Sequence, residues 1–209
     1  MPTPHEPIPA SNPPPNPFST RFIRPDAFPF IFPPGYDAES LVARLEQNNW
    51  WGEIIAPHGS GKSTLLHALK KQLTAVRRQV DFYLLSAEKP VVDWGQQNLK
   101  PWTPKTQVIV DGYEQLSWWN AMRLQRMVKK AGAGLLVTAH KRGRLPPLVD
   151  LTPTIHTAQA IVDHLLSGDR NIISESDVKD AYEGNHGNLR EMLFRLYDVY
   201  EIRSRIGKR

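Results

Sequence analysis

Eight residues in the first third of the chain constrain its fold more than any other feature. Residues 56–63 read APHGSGKS, which fits the pattern of Ala or Gly, any four residues, then Gly-Lys-Ser/Thr. The apolar run 51–55 before them predicts a strand, and the leucines of 64–73 after them have helical spacing. A strand, a glycine-rich turn and a helix N-terminus together form an anion site, because glycines let successive backbone N–H groups turn toward phosphate oxygens.

The pattern also assigns roles within the loop. Lys62 is expected to reach the β- and γ-phosphates of a nucleotide, and the Ser63 hydroxyl is expected to bind Mg²⁺. The alternative is an ordinary glycine-rich turn in front of a helix. The residues predicted to hold the nucleotide are Pro57, His58, Gly59, Ser60, Gly61, Lys62, Ser63 and Thr64.

Composition narrows the class of protein. The 209 residues suffice for one α/β domain with a small appendage, and the absence of cysteine excludes disulfides, zinc-thiolate sites and cysteine nucleophiles. No apolar run approaches the ~18 residues that span a bilayer. Prolines stand where a signal peptide would have an apolar stretch. We therefore expect a cytoplasmic protein without membrane contact.

The charge of the chain is uneven. Its net charge is +5, and no acidic residue occurs from Gln115 to Val149. A basic stretch over 123–144 favours a phosphate-bearing partner such as nucleic acid, or an acidic protein, although a solvated helix face is the alternative. The cations concerned are Arg123, Arg126, Lys129, Lys130, Lys141, Arg142 and Arg144.

The N-terminal segment changes in composition after its first 17 residues. Residues 1–36 hold 12 of the 19 prolines. Residues 1–17 are predicted to form a disordered, proline-rich arm. Residues 18–36 are richer in Phe and Ile, so we expect an ordered arm that packs on the core and forms one wall of an adenine pocket. Asp37 then predicts the N-cap of a helix that continues through Gln47.

The remaining pattern alternates strands with helices and predicts an α/β fold, a five-stranded parallel sheet sandwiched by helices. The core is assigned to 37–157 and a helical lid to 158–209. The predicted strands are 51–56, 80–86, 107–111, 134–139 and 154–157. The predicted helices are 62–74, 117–131, 158–167, 175–183 and 188–204.

Polar residues at strand ends supply the other candidate site residues. Asp111 ends the apolar strand 108–110 and is predicted to help hold Mg²⁺. Glu114 is predicted to polarise the attacking water. Their alternatives are a strand-end turn residue and an acidic residue at a helix N-terminus, respectively.

Three further residues follow the later elements. Thr138 at the end of a strand is expected to contact the γ-phosphate or the attacking water, or to be a strand-end threonine with no special role. His140 just beyond it is expected to be a surface loop histidine, with a response to the nucleotide state as the alternative. Arg190, near the start of the last helix, is expected to fold back onto the γ-phosphate, or to be a salt-bridging surface arginine.

With these residues assigned, the chain resembles a small AAA+ ATPase within the additional-strand P-loop class. Residues 56–63 match Walker A, 108–111 match Walker B, Thr138 falls at sensor one, and 187–191 resemble the sensor-two motif. The resemblance implies a sheet ordered 5-1-4-3-2, a helical lid, and ATP hydrolysis coupled to movement of that lid.

The chain also departs from that family. Gly112 follows Asp111 where most members have glutamate, and the Asp-Gly-Tyr-Glu run is closer to STAND signalling ATPases. The candidates for an arginine finger are Arg142 and Arg144, which would act in trans within a homo-oligomer or on a protein partner.

Three functions stay open at this point. The first is Mg²⁺-dependent ATP binding and hydrolysis coupled to the lid. The second is a nucleotide-gated binding module with little turnover. The third is a small-molecule P-loop kinase whose acceptor site is formed by residues 88–106. No Asn-Lys-x-Asp guanine-reading string occurs, which disfavours a GTPase.

Overall fold

The computed structural model describes residues 15–86, 101–168 and 170–206, which form an α/β fold. Most of the proposed kinase acceptor loop 88–106 and of the proline-rich arm lies outside these residues. The strands are β1 (Trp51–Ile55), β2 (Gln79–Leu84), β3 (Thr106–Asp111), β4 (Gly134–Ala139) and β5 (Pro147–Asp150). The helices are α1 (Thr20–Ile23), α2 (Ala38–Gln47), α3 (Lys62–Ala75), α4 (Trp118–Lys130), α5 (Ile155–Leu166), α6 (Glu175–Gly184) and α7 (Leu189–Ile206), with a 3₁₀ turn at Tyr113–Gln115.

The five strands form one parallel sheet in the order β2-β3-β4-β1-β5. Read from its other edge, the order is 5-1-4-3-2. Each crossover between parallel strands must return across a face of the sheet, so all carboxyl ends meet at one edge. β1 lies between β4 and β5, which brings the loop after Ile55 beside the ends of β3 and β4. Ligands of such sheets bind at this edge.

The prediction of the fifth strand from sequence is wrong in its position. The predicted strand 154–157 is the start of α5, where the Thr154 hydroxyl accepts a hydrogen bond from Thr157 N at 3.2 Å and caps the helix. The strand is instead Pro147–Asp150, which pairs with β1. Adjacent prolines disguise it, but a proline is tolerated at the first residue of an edge strand because no ladder hydrogen bond is lost there.

Helices cover both faces of the sheet. α2 and α3 pack on one face around buried leucines such as Leu66 and Leu69, and α4 packs on the other through Leu124 and Val128. Every residue of β3 and β4 is buried, as expected for central parallel strands. The N-cap predicted at Asp37 is present as a reciprocal capping box with Ser40.

The three C-terminal helices form a separate apolar cluster, here called the helical cluster, which comprises α5, α6, α7 and Phe18. Phe18 is 0% exposed and meets Tyr200 edge-on. Asn16 was assigned to the disordered arm, but its amide donates to Tyr197 O and to Glu201 Oε1, both at 3.1 Å. No helix in the described part of the chain has the length and apolar content needed to cross a membrane.

Candidate functional site

The loop 56–63 connects β1 to α3 at the carboxyl edge of the sheet. Gly59 and Gly61 adopt left-handed backbone angles, with φ of +69° and +91°, which disfavour any residue with a side chain. The Ser60 hydroxyl donates to Pro57 O at 2.8 Å and tightens the turn. Since Gly61 directly precedes α3, the helix presents its unpaired first N–H groups beside the loop.

Lys62 contacts its own loop. Its Nζ donates to Ala56 O and Pro57 O, each at 2.7 Å, and lies 3.3 Å from His140 Nδ1. Burial lowers the pKa of Lys62, and the positive charge of Arg190 acts in the same direction. The carboxylates of Glu114 and Asp111 oppose that shift. The lysine is therefore a partly desolvated cation between two acidic groups.

Three predicted site residues from three elements meet at Asp111. The Ser63 hydroxyl donates to Asp111 Oδ2 at 2.6 Å, and the Thr138 hydroxyl donates to Oδ1 at 2.7 Å. Thr138 also accepts from Gly112 N at 2.9 Å and is 0% exposed. The loop, the end of β3 and the end of β4 are thus joined through one carboxylate.

The oxygen donors at this point suit Mg²⁺. A carboxylate and a hydroxyl are hard ligands, and Mg²⁺ is usually held by one or two carboxylates together with phosphate oxygens and water. Within the described residues, no group of three or more His, Asp or Glu side chains has the arrangement of a protein-only metal site. Ser63 and Asp111 therefore fit a metal that is brought in with a phosphate group.

Glu114 and His140 are within hydrogen-bond distance of each other at the same edge. Glu114 lies in the 3₁₀ turn that follows Gly112, whose φ is +84°. Glu114 Oε1 is 2.6 Å from His140 Nε2, and the two side chains are about a quarter exposed. His140 lies in the loop after β4, as expected, and is only partly exposed, because its ring contacts Glu114, Lys62 and Ala56.

His58 covers the outer face of His140. The two rings have their centroids 3.6 Å apart and are tilted by 37°. Desolvation is the main cause that lowers the pKa of His58, and the charges of His140 and Lys62 lower it further. The stacking restricts how the His140 ring can turn.

The start of α7 contacts the loop. Asn188 Oδ1 accepts from Arg190 N at 3.1 Å and from Glu191 N at 3.2 Å, so it caps α7. The same amide touches Gly59 so closely that a Cβ at that position would collide with it. Sequence reasoning included Asn188 in the helix and missed this contact. Its position directly after Gly187 was the available signal, because Asn is a preferred N-cap.

Arg190 lies at the cleft that these elements enclose. The cleft, lined by the loop, Asp111, Glu114, His140, the arm and the helices α5 and α7, has a volume of about 610 Å³. Arg190 is exposed there, and its charge lowers the pKa of both Lys62 and His58. The Arg190 side chain is therefore close enough to the loop for its charge to act on Lys62 and His58.

One wall of the cleft is apolar. The arm lies beside the loop, and the ring of Phe30 would be 3.5 Å from a Cβ placed on Gly61. Pockets for small ligands usually combine such an apolar lining with a few polar groups and measure about 300–1,000 Å³. The apolar lining residues include Ile23, Phe28, Phe30, Ile31, Leu151 and Leu193.

The structure does not bring the two candidate arginine fingers to the cleft. Arg142 and Arg144 are exposed in the loop after β4, and neither lines the cleft. Between them, Gly143 N donates to the buried Glu53 carboxylate at 2.9 Å, which anchors this loop to β1.

The chain was compared with protein-family models and with curated proteins. No family model matches it, and no curated protein matches it significantly.

Proposed function

We propose that this chain is a P-loop ATPase, resembling small AAA+ enzymes, that binds Mg-ATP at residues 56–63 and hydrolyses it. The observation that carries the proposal is the hydrogen bond from Ser63 Oγ to Asp111 Oδ2 at 2.6 Å. It joins the last residue of one motif to the carboxylate of another, 48 positions later in the chain. The hydroxyl and the carboxylate that the two motifs assign to Mg²⁺ are therefore in direct contact.

Each predicted residue then has a role in binding. The first N–H groups of α3 and the Lys62 ammonium hold the phosphates. Ser63 and Asp111 would hold Mg²⁺, which supplies charge neutralisation of the β- and γ-phosphate oxygens when bound. For Lys62, binding requires that its hydrogen bonds to Ala56 O and Pro57 O be exchanged for phosphate oxygens.

Glu114 is the proposed base for hydrolysis. Its carboxylate takes a proton from water as the water oxygen bonds to the γ-phosphorus, and the bond from that phosphorus to the β–γ bridging oxygen breaks to give ADP and phosphate. Thr138 keeps the Asp111 carboxylate in place through its 2.7 Å hydrogen bond. Arg190 stabilises the charge on the γ-phosphate, and α7 would move with it because Asn188 rests on Gly59.

The apolar wall of the cleft indicates that the ligand carries a nucleobase next to its phosphates and is not a bare polyphosphate. Phe28, Phe30 and Ile31 line the cleft and provide surfaces on which a planar base can pack. The absence of a guanine-reading string favours adenine.

Calorimetry and phosphate release test this proposal directly. Lys62→Ala should weaken Mg-ATP binding by about 100-fold or more, because it removes charge-assisted hydrogen bonds worth about 1.5–3 kcal/mol each. Glu114→Gln should bind normally but turn over about 10²–10⁴-fold more slowly. Lys70→Ala is the matched control, since Lys70 is an exposed lysine of the same helix. Unchanged binding in Lys62→Ala would refute the proposal.

A second function, nucleic-acid binding, is favoured by one observation on α4. Trp119, Arg123, Arg126 and Lys130 are exposed at intervals of four, three and four residues, which places them in one stripe. Trp119 is 74% exposed, and aromatic rings next to cations are typical of surfaces that stack bases and bind phosphates.

The salt dependence of DNA affinity tells whether the α4 stripe binds nucleic acid or is only a solvated helix face. We expect the double variant Arg123→Glu/Arg126→Glu to lower the salt slope of single-stranded DNA binding by about two, the two lost phosphate contacts. Lys70→Glu/Lys71→Glu, an exposed pair on α3, is the control. Equal slopes in all three proteins would exclude α4 as the binding surface.

A further inference from the structure

The side chain of His58 lies where the loop 56–63 meets the cleft. His58 is exposed, and it lines the cleft together with Lys62. Its ring lies over that of His140, with 3.6 Å between the centroids, and His140 Nδ1 is 3.3 Å from Lys62 Nζ. The N-cap of α7 lies there too, because Asn188 touches Gly59, the residue after His58.

Basic groups from three elements surround this imidazole ring. Lys62 is the first residue of α3, His140 follows β4, and Arg190 lies in the first turn of α7. Desolvation lowers the pKa of His58, and the charges of His140, Lys62 and Arg190 lower it further. The carboxylate of Glu114, in the 3₁₀ turn, acts in the opposite direction. With only these protein groups around it, the His58 ring is therefore mainly neutral at neutral pH.

A triphosphate in the cleft would reverse this balance. The proposed function places the γ-phosphate among Lys62, Glu114 and Arg190, which are the groups that act on His58. Phosphate oxygens bring negative charge to a largely basic surrounding, and a nearby negative charge favours the protonated form of a histidine. A protonated imidazole donates from both ring nitrogens and forms charge-assisted hydrogen bonds with phosphate.

We propose that the His58 side chain is a γ-phosphate ligand that takes up a proton as the triphosphate binds, and that it thereby favours ATP over ADP. The proton comes from solvent and adds to the unprotonated ring nitrogen, and no covalent bond of the nucleotide changes. The backbone N–H groups of the loop bind phosphate at any pH, whereas this side chain makes affinity depend on pH. The inference rests on the proposed function, which supplies the identity of the phosphate ligand.

Calorimetry of the full chain with Mg-ATPγS, at one pH in two buffers of different ionisation enthalpy, measures the proton uptake. We expect up to about one proton per bound nucleotide, and an affinity that falls by up to about tenfold per unit as the pH rises between about 6 and 8. Mg-ADP, which lacks the γ-phosphate, should give a smaller uptake.

His58→Gln should still bind Mg-ATPγS but should lose this uptake, and its affinity should depend less on pH than that of the wild type. His67→Gln is the matched control, since the His67 ring packs against Phe82 with 5.6 Å between the centroids. It should behave as the wild type does. Uptake that persists in His58→Gln and disappears in His140→Gln would assign the proton to His140 and overturn the proposal.

The wild-type measurements do not depend on whether a variant folds. Heat with Mg-ATPγS but no proton uptake, or an equal uptake with Mg-ADP, would overturn the role of His58 and leave the proposed function standing. An absence of heat with Mg-ATPγS would instead refute the proposed function, and the role of His58 with it.

Discussion

The sheet core and the helical cluster are stabilised in different ways. In the sheet core, β1 pairs with the distant strands β4 and β5, but the site elements β1, loop 56–63 and α3 are continuous in sequence. In the helical cluster, the helices α5–α7 enclose Phe18, which belongs to the other end of the chain. The segment from β1 to α3 is therefore encoded locally, whereas the helical cluster is completed by a distant segment.

The arm that completes the helical cluster also contacts the sheet core. Phe18 is buried among α5–α7, while Phe30 and Phe32 pack against the cluster formed by α2, α3 and the sheet. The cleft lies between these two anchoring points. Movement of α7 is thus tied to the arm, and the apolar wall of the cleft cannot shift independently of either region.

Removal of the Phe18 ring should lower the free energy of unfolding more than any other change considered, and the loss should be confined to the helical cluster. Phe18→Ala is expected to destabilise the chain by about 3–5 kcal/mol, since it leaves a cavity at a position that is 0% exposed. Hydrogen exchange should show lost protection in α5–α7, with β3 and β4 protected as before.

Phe32→Ala is the matched control, because Phe32 is a partly buried aromatic residue of the same arm that packs on the sheet core. Phe32→Ala should lower the free energy of unfolding by less than Phe18→Ala does, and it should leave α5–α7 protected from hydrogen exchange. Loss of protection throughout the molecule in Phe18→Ala would mean that the two regions unfold as one cooperative unit, and the distinction drawn here would be wrong.

The same contrast explains which features could be predicted. The elements β1, α3 and β4 and the N-cap at Asp37 follow from short-range signals, and the structure confirms those elements. β5 and the contacts of His140 depend on segments far apart in sequence. A four-residue edge strand that follows one proline and begins with another carries little pattern of its own. The partners of a histidine just beyond a strand are fixed only by the folded sheet.

The contact between Gly59 and Asn188 joins the two regions and should give the next largest effect. Gly59→Ala is expected to cost about 2 kcal/mol, part from the left-handed backbone and part from collision with the Asn188 amide. Asn188→Gly removes that amide while keeping a tolerated N-cap. In the double variant the collision is absent, so denaturant unfolding should show a coupling of about 1 kcal/mol.

Gly35→Ala measures the cost in stability of a left-handed backbone alone, without a collision. Gly35 has a φ of +83°, and a Cβ built on it meets no atom within 4 Å. Its cost should equal that of Gly59→Ala in the Asn188→Gly background. Additive values for Gly59 and Asn188 would show that α7 does not rest on the loop in solution.

The smallest effect is expected from a polar link confined to the helical cluster. Asp177 caps α6 and accepts two hydrogen bonds from Arg203 of α7, at 2.6 and 2.8 Å. The Arg203 hydrogen bonds are the main cause that lowers the pKa of Asp177 below its ordinary value of 3.8. Because the folded pKa lies below the unfolded one, this stabilisation is present above about pH 4 and is lost as the pH falls toward the folded pKa.

Asp177→Asn should therefore cost about 1 kcal/mol at neutral pH, a modest value because the Arg203 side chain is 46% exposed. The difference from the wild type in urea unfolding should shrink as the pH falls from about 7 to 3. Asp180→Asn, an exposed aspartate of the same helix, is the control. A difference that stays constant over this range would assign the cost to the cap alone. If Asp177→Asn also reduced hydrogen-exchange protection in β3 or β4, the helical cluster and the sheet core would unfold as one cooperative unit.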